Sequence, residues 1–312
     1  MINYYKYKTR YGVLEVQTYD TGIKGKTLFV TAAIHGDEKC GTRALENLSK
    51  NLEEKLVQLQ SGRLVFVKIC NPLGYDQDRR FSIDGENLNR VFKRHTFAST
   101  PEREFANQLI DIVEIHACSD SDVYWLDLHS YYDIGGKPFI IVEYPTDKNL
   151  GFAKNLGIQN IFLGWNDLYT EVLDESGQIK EPCTIDFAHS IGLSGLTVEC
   201  GGHKDTDSIQ VAYDTILHAM RYLGLSLIET EHKFKTRFIK MEEIVRKPSD
   251  DWTLSQHWRN LDAVPKGTTL AIHKMGPDSG LITADNDSLI LLPSINAKTG
   301  TEWFYLGKCM DK

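Results

Sequence analysis

No two cysteines in this sequence stand in a C-x-x-C spacing. The six present, Cys40, Cys70, Cys118, Cys183, Cys200 and Cys309, are scattered along 312 residues. That excludes a thiolate zinc ribbon and a disulfide framework, and the thiols read as reduced, as in a cytoplasmic protein. No stretch approaches the ~20 consecutive apolar residues of a membrane helix. The start, Met1-Ile2-Asn3-Tyr4-Tyr5-Lys6, carries no apolar core of signal-peptide length. Positive charge is in deficit, with 35 Lys and Arg against 43 Asp and Glu for a net charge of -8. No nucleic-acid partner and no membrane partner is expected from that balance. An acidic small molecule is not excluded, because a local pair of arginines can outweigh a diffuse negative field. Internal repeats and low-complexity linkers are also lacking. What remains is ordinary for a globular protein, 41% hydrophobic and 25% charged, and long enough for one large domain or a large and a small one.

The chain is organised around Thr31-Ala32-Ala33-Ile34-His35-Gly36-Asp37-Glu38. Thr27 to Ile34 is apolar and β-rich, so it predicts a buried strand. After His35-Gly36, helical spacing takes over in Ala44, Leu45, Leu48, Leu52 and Leu56, predicting a helix over about 42–60 with Thr42 as its cap. His35 and Glu38 thus stand where a strand gives way to a helix, the edge at which open α/β sheets collect ligands. A His and a Glu three apart on such a loop can both reach one metal ion. A third ligand is offered by Val123–Ser130 (VYWLDLHS), another apolar strand with His129 near its end. Asp127, two residues earlier, points to the same side and could support the site from behind. Two histidines and a glutamate are a zinc donor set that leaves one position open for chemistry. Singly, each motif has a bland reading: a Gly-Asp turn after a strand is ordinary loop chemistry, and a strand-end histidine is often structural.

Two further stretches change the weighing. The segment 74–92 (GYDQDRRFSIDGENLNRVF) is polar, charged and longer than a connector needs. As a plain surface loop, its arginines would pair with Asp76, Asp78, Asp84 and Glu86. Glu199 closes the apolar run Leu196–Val198, where an unpaired carboxylate is costly unless it has work or a partner.

The order H-x-x-E, NP…R…NLNR, DLHS, then a glutamate after a strand resembles the zinc carboxypeptidase superfamily. Within it, the succinylglutamate desuccinylase/aspartoacylase family is most similar. The match spans some 165 residues, from His35 to Glu199, and the gap of about ninety residues between Glu38 and His129 suits it. The resemblance implies an α/β fold with a mixed, mainly parallel sheet flanked by helices. It implies one zinc ion (Zn2+) per chain on His35, Glu38 and His129, with Glu199 as general base. Arg80 is implied to polarise the scissile carbonyl, although extra residues before Asn89 leave Arg79 as the alternative. Asn89 and Arg90 are implied to hold the substrate's carboxylate. The activity so implied is hydrolysis of the amide of a small N-acyl amino acid. A metallocarboxypeptidase acting on short peptides, or a non-catalytic binding protein on the same scaffold, are the alternatives. Relatives preferring acyl-aspartate carry a further arginine before the glutamate matching Glu199. From Glu181 to His203 this chain has no Lys or Arg, and His189 is the nearest basic residue.

The rest of the chain reads as follows. Residues 4–20 predict an opening hairpin or edge strands. Arg63–Cys70 predicts a strand, Pro101 onward a helix, and Lys137–Glu143 a strand. Residues 147–165 predict a short helix and a strand, Cys183–His189 a helix or loop, and Asp207–Leu225 an amphipathic helix. Beyond a boundary at 230, the segment 231–312 alternates short β segments, from Phe234–Met241 to Trp303–Leu306, with turns. It is expected to form a small all-β domain that shapes the mouth of the site or joins copies in a homo-oligomer. Tyr305 reads as a core or surface tyrosine rather than a substrate-binding phenol.

Overall fold

Every residue of Thr27–Ala32 and of Val123–Tyr131 is buried, the requirement for strands covered on both faces. The computed structural model describes residues 1–83, 85–117, 122–132, 136–172, 181–230, 235–276 and 279–310, without the side chains of 170–172. Asp84, Cys118 and Phe234 lie outside them.

The chain opens with the antiparallel hairpin β1 (Ile2–Thr9) and β2 (Gly12–Asp20). There follow β3 (Thr27–Ala32), α1 (Cys40–Glu53), β4 (Arg63–Val67), α2 (Pro72–Asp76), α3 (Pro101–His116), β5 (Val123–Tyr131), β6 (Phe139–Ile141), α4 (Asp147–Lys154), β7 (Asn160–Leu163), α5 (Thr184–Ser190), β8 (Ser194–Gly202) and α6 (Asp207–Tyr222). Then come β9 (Arg237–Arg246), β10 (Trp252–Leu254), β11 (Asp262–Val264), β12 (Thr269–His273), β13 (Leu281–Thr283), β14 (Ser288–Leu291) and β15 (Glu302–Cys309). One sheet takes twelve of the strands in the order β1-β2-β4-β3-β5-β8-β6-β7-β9-β15-β14-β11; β10, β12 and β13 form a second, small sheet. At the centre β4, β3, β5 and β8 run parallel. Side chains of α1, α4 and α6 pack on one face, and those of α3 and α5 on the other. The expected α/β architecture is therefore present, with a C-terminal antiparallel region.

One expectation needs correction. Helix α1 starts at Cys40, not Thr42, and stops at Glu53 rather than near 60. Thr42 lies inside it and donates from Oγ1 to Lys68 O at 2.6 Å. The chain leaves the helix through Lys55 at φ 62° and turns Val57 back into the core. Leu56, counted as part of the apolar stripe, is instead exposed. Of the C-terminal strands, β10, β12 and β13 form the small separate sheet and the others join the large one. β9 pairs in parallel with β7, and β15, β14 and β11 extend the same sheet. β9 thereby covers what would be an open edge at β7.

The route from β3 to Glu38 is tightly held. Ala33 has φ 51°, a left-handed conformation that costs a non-glycine residue about 1–2 kcal/mol. Its carbonyl accepts from Asn71 N–H at 2.9 Å, fixing the turn. At Gly36 the backbone passes so close to Gly74 and Tyr75 that a Cβ would fall 2.0 Å from Gly74 C and 2.2 Å from Tyr75 N. Only glycine fits without moving α2 or the His35–Glu38 loop. Gly36→Ala is expected to destabilise the fold by at least ~3 kcal/mol, read as a lowered urea midpoint; a wild-type midpoint would show that the loop yields freely.

Candidate metal centre and its surroundings

Glu38 is only 2% exposed, and both of its oxygens are engaged. Oε1 lies 2.8 Å from His35 Nδ1 and accepts from Arg80 Nη1 at 2.9 Å. Oε2 lies 2.7 Å from His129 Nδ1 and accepts the Ser130 N–H at 3.2 Å. The far nitrogen of each histidine is held by an oxygen. His35 Nε2 is 3.0 Å from Asn87 Oδ1, and His129 Nε2 is 2.9 Å from Asp127 Oδ2. Asp127 is wholly buried and itself supported: Thr31 Oγ1 donates to Oδ1 at 2.7 Å, and Thr184 Oγ1 to Oδ2 at 2.5 Å. Trp125 Nε1 in turn donates to Thr31 Oγ1 at 2.7 Å. Such outer partners fix ring orientation and leave the inner nitrogens to converge.

The donor atoms of His35, Glu38 and His129 lie within 4.8 Å of one another. The set fits a zinc ion in chemistry and in burial. Electrostatics prepares part of it. Burial works against the charge of Glu38, but His35 and His129 outweigh it and keep the carboxyl well below its usual value. Burial, with Arg80 adding to it, lowers His35 to about 4, so its imidazole is neutral as a ligand must be. His129 goes the other way. Burial disfavours its proton, yet Asp127 and Glu38 together hold it well above the ordinary histidine value. Metal uptake there must therefore release a proton.

Glu199 stands opposite His129 in the β5–β8 register, on the same face of the sheet. Its Oε2 is buried and has no hydrogen-bond partner. Burial, with the negative charge of Glu38 adding to it, pushes Glu199 up to about 8. Arg80 reaches the centre through Glu38, so the expected pairing of the loop arginines with its own acids is not what forms there. Asp78 binds Lys39 and Glu86 binds Arg103 instead. Arg79 is exposed. Asn89 is buried, and its Oδ1 accepts from Thr184 N and Oγ1 at 2.9 and 3.2 Å, tying the loop to α5. Arg90 donates to Asn89 O at 2.7 Å and lies close enough to Tyr169 and Tyr305 to act on both hydroxyls. Those hydroxyls are 2.6 Å apart, and Tyr305 is a buried core residue. His189 is exposed and stacks on Tyr144 with centroids 3.7 Å apart.

Several residues near the centre escaped sequence reasoning. Asn87 belongs to the long loop but has no distinguishing neighbour in sequence. Asp37 and His203 converge with Glu38 to within 4.8 Å of donor atoms, and Asp37 Oδ1 is buried without a partner. His203, Lys204 and Tyr132 line a 110 Å³ cavity together with His257, Trp258, Pro293 and Ile295 of the C-terminal segment. Glu143 was legible by the rule that found Glu199, since it too ends an apolar run, Phe139–Val142. It is 7% exposed, its Oε1 accepts from Thr197 Oγ1 at 2.5 Å, and its Oε2 is buried without a partner.

A buried donor set of this kind, on the C-terminal edge of a parallel sheet, gives this α/β protein residues that could hold a metal ion. Comparison with known proteins makes that specific. Residues 24–223 match the model of the succinylglutamate desuccinylase/aspartoacylase catalytic domain, and the chain belongs to that family. Its members are amide-hydrolysing deacylases. The chain is 34% identical over 132 residues to an N-alpha-acetyl-L-2,4-diaminobutyric acid deacetylase of Halomonas elongata, a match covering 42% of this chain and only 35% of that protein. A succinylglutamate desuccinylase/aspartoacylase structure from Rhodobacter sphaeroides superposes with TM-score 0.76 at 17% identity, over 100% of this chain and 96% of that one. The product-bound ectoine utilization protein EutE (DoeB) of Ruegeria pomeroyi gives 0.74 at 20% identity, over 98% and 94%. These structural likenesses establish the fold.

Asp127→Asn should weaken zinc affinity about 10- to 100-fold with the fold retained, measured by competition with a chromogenic chelator; unchanged affinity would remove Asp127 from the support of His129. Glu143 gives a pH prediction. Burial first, then Asp186 and Asp127, raise it to about 8, so the folded state keeps its proton while the unfolded chain has lost it. Its contribution is fully present below the unfolded value near ~4.5 and drains away up to pH ~8, at no more than ~1.4 kcal/mol per pH unit. Urea titrations from pH 5 to 8 should show a flatter profile for Glu143→Gln than for wild type; parallel profiles would contradict it.

Proposed function

We propose that this protein is a zinc-dependent hydrolase that cleaves the amide bond of a small N-acyl amino acid. The observation that carries the reading is the placement of Glu199. Glu199 is half-buried, with Oε2 enclosed and without a hydrogen-bond partner, in register with His129 and beside the convergent donors of His35, Glu38 and His129.

Zinc held by those three residues would supply a Lewis acid at the amide carbonyl and acidify the attacking water. The chain's own residues do the rest. Glu199 takes a proton from the water as its oxygen adds to the acyl carbon. It then delivers that proton to the amide nitrogen as the C–N bond breaks, releasing a free amino acid and a small carboxylic acid. Its high apo value reflects burial beside Glu38; positive charge among the three ligands lowers it, so the base is ionised near neutrality. Arg80, already at the edge of the centre, donates to the oxyanion. Arg90 offers a planar fork to the substrate's α-carboxylate, with Asn89 beside it. Asn89 has a second job that the resemblance did not imply, bracing the loop against Thr184.

The lack of Lys and Arg between Glu181 and His203, together with the stacking of His189 on Tyr144, supports a substrate without a second carboxylate. The Halomonas relative is named for a substrate with an amine-bearing side chain, which fits the same absence. Free thiols at Cys40, Cys70, Cys183, Cys200 and Cys309 support a cytoplasmic setting. Among the described residues no helix is long and apolar enough to cross a membrane. The cavity between His203 and Trp258 supports the 231–312 segment as a domain shaping the mouth of the site.

Glu199→Gln should retain one zinc per chain yet lose turnover of N-acyl amino acids by about 10²- to 10⁴-fold, with metal content and amine release measured on one preparation. A fully active variant would falsify the role of Glu199, and loss of metal along with activity would make it a structural residue instead.

A further inference from the structure

Glu143 has no part in the mechanism above, yet it is a buried acid on the face of the sheet that carries the site. Thr31, Asp127, Thr197 and Ile141 are register partners across β3, β5, β8 and β6 and make one row on that face. His129, Glu199 and Phe139 make the next row, nearer the edge where the metal donors converge. Glu143 follows Ile141 by two residues and is tied to Thr197, so it lies on the deep side of the Asp127–Thr197 row. One oxygen is used by that bond; the other is buried with no partner.

Its neighbours sharpen the oddity. Asp186 and Asp127 are the charges that act on it most strongly, and both are acidic. Each is already satisfied: Asp186 by the Tyr144 hydroxyl and Cys183 N–H, Asp127 by His129, Thr31 and Thr184. Three carboxyl groups thus share one region below Glu199, and only Glu143 has an unused oxygen. A half-satisfied buried acid is unfavourable by itself. The arrangement makes sense if a cation arrives from outside.

We propose that Glu143 determines specificity by receiving the side-chain ammonium of an Nα-acylated diamino acid. Two residues of strand rise about 6.6 Å, so the step from the Glu199 row to the row above Glu143 matches a side chain of roughly two to four methylenes ending in an amine. The carboxyl holds its proton in the free protein. An ammonium beside it draws out the ionised form, while a carboxylate side chain would meet three acids. This inference rests on the deacylase reading for its reaction and adds the substrate class.

The test measures kcat/KM of zinc-loaded wild type and Glu143→Gln on Nα-acetyl-2,4-diaminobutyrate, Nα-acetylornithine, Nα-acetylnorvaline and Nα-acetylglutamate. Wild type should favour the two amines over norvaline by about 100-fold and process glutamate worst; in Glu143→Gln the amine-to-norvaline ratio should collapse toward one, mainly through KM. An unaltered ratio in a variant that folds, or a wild type indifferent to the amine, overturns the assignment. Should the variant not fold, the wild-type order of substrates decides alone. If wild type hydrolyses none of the four, the deacylase reading fails separately. Calorimetry with free 2,4-diaminobutyrate and norvaline then decides for Glu143: amine-selective binding with proton release near pH 7 upholds it, and equal or absent binding sinks it.

Discussion

The carboxylate of Glu38 is the constraint on which the rest depends. A charge removed almost completely from water survives only if every lone pair is met. Here His35, Arg80, His129 and the Ser130 N–H meet them from three parts of the chain. Each partner is then fixed in turn: His35 by Asn87, His129 by Asp127, and Asp127 by Thr31 and Thr184. The network ties β3, β5, α5 and the long loop into one unit. The backbone accommodates it with a left-handed Ala33 and a glycine at 36 that admits no side chain. Local strain of this sort is held only where the surroundings over-determine it.

From that hub the sheet acts as a ruler. Parallel strands in register put Asp127 beside Thr197 and His129 beside Glu199, so the candidate ligand, its support and the proposed base occupy successive rows without any loop having to choose their positions. The loops supply further residues. The 74–92 segment brings Arg80, Asn87, Asn89 and Arg90, while the start of α5 brings Thr184 and Asp186. Loops of the C-terminal segment add a wall beyond His203. The proposed chemistry thereby draws on the strands and on the loops around them.

Much of this was legible in sequence, for an identifiable reason. A charged or imidazole residue at the end of an apolar strand is conspicuous, and four of them, His35, Glu38, His129 and Glu199, fell in a family order. The Asp127–His129 relation followed from the two-residue strand period. What could not be read was whatever depends on distant segments meeting. Asn87 matters only because the loop folds over His35, and Arg80 is distinguished from Arg79 only by its reach to Glu38. Glu143, by contrast, ends an apolar run as Glu199 does and was legible by the same rule; only its tie to Thr197 needed the fold. The union of β9 with β7 was hidden as well, because local alternation announces a strand but not its neighbour. Helix α1 was overextended because Leu56 kept the helical spacing although the backbone had already turned.

The central claim is that a metal on His35, Glu38 and His129 makes this scaffold an amidase for acylated amino acids. The most direct measurement is release of free amine from a panel of N-acetyl, N-formyl and N-succinyl amino acids and short peptides, run in parallel on zinc-loaded and chelated protein. The account predicts release from acyl-amino acids by the loaded protein alone, restored when zinc is returned to the chelated sample. Release from peptides only, or equal release with and without zinc, would contradict it.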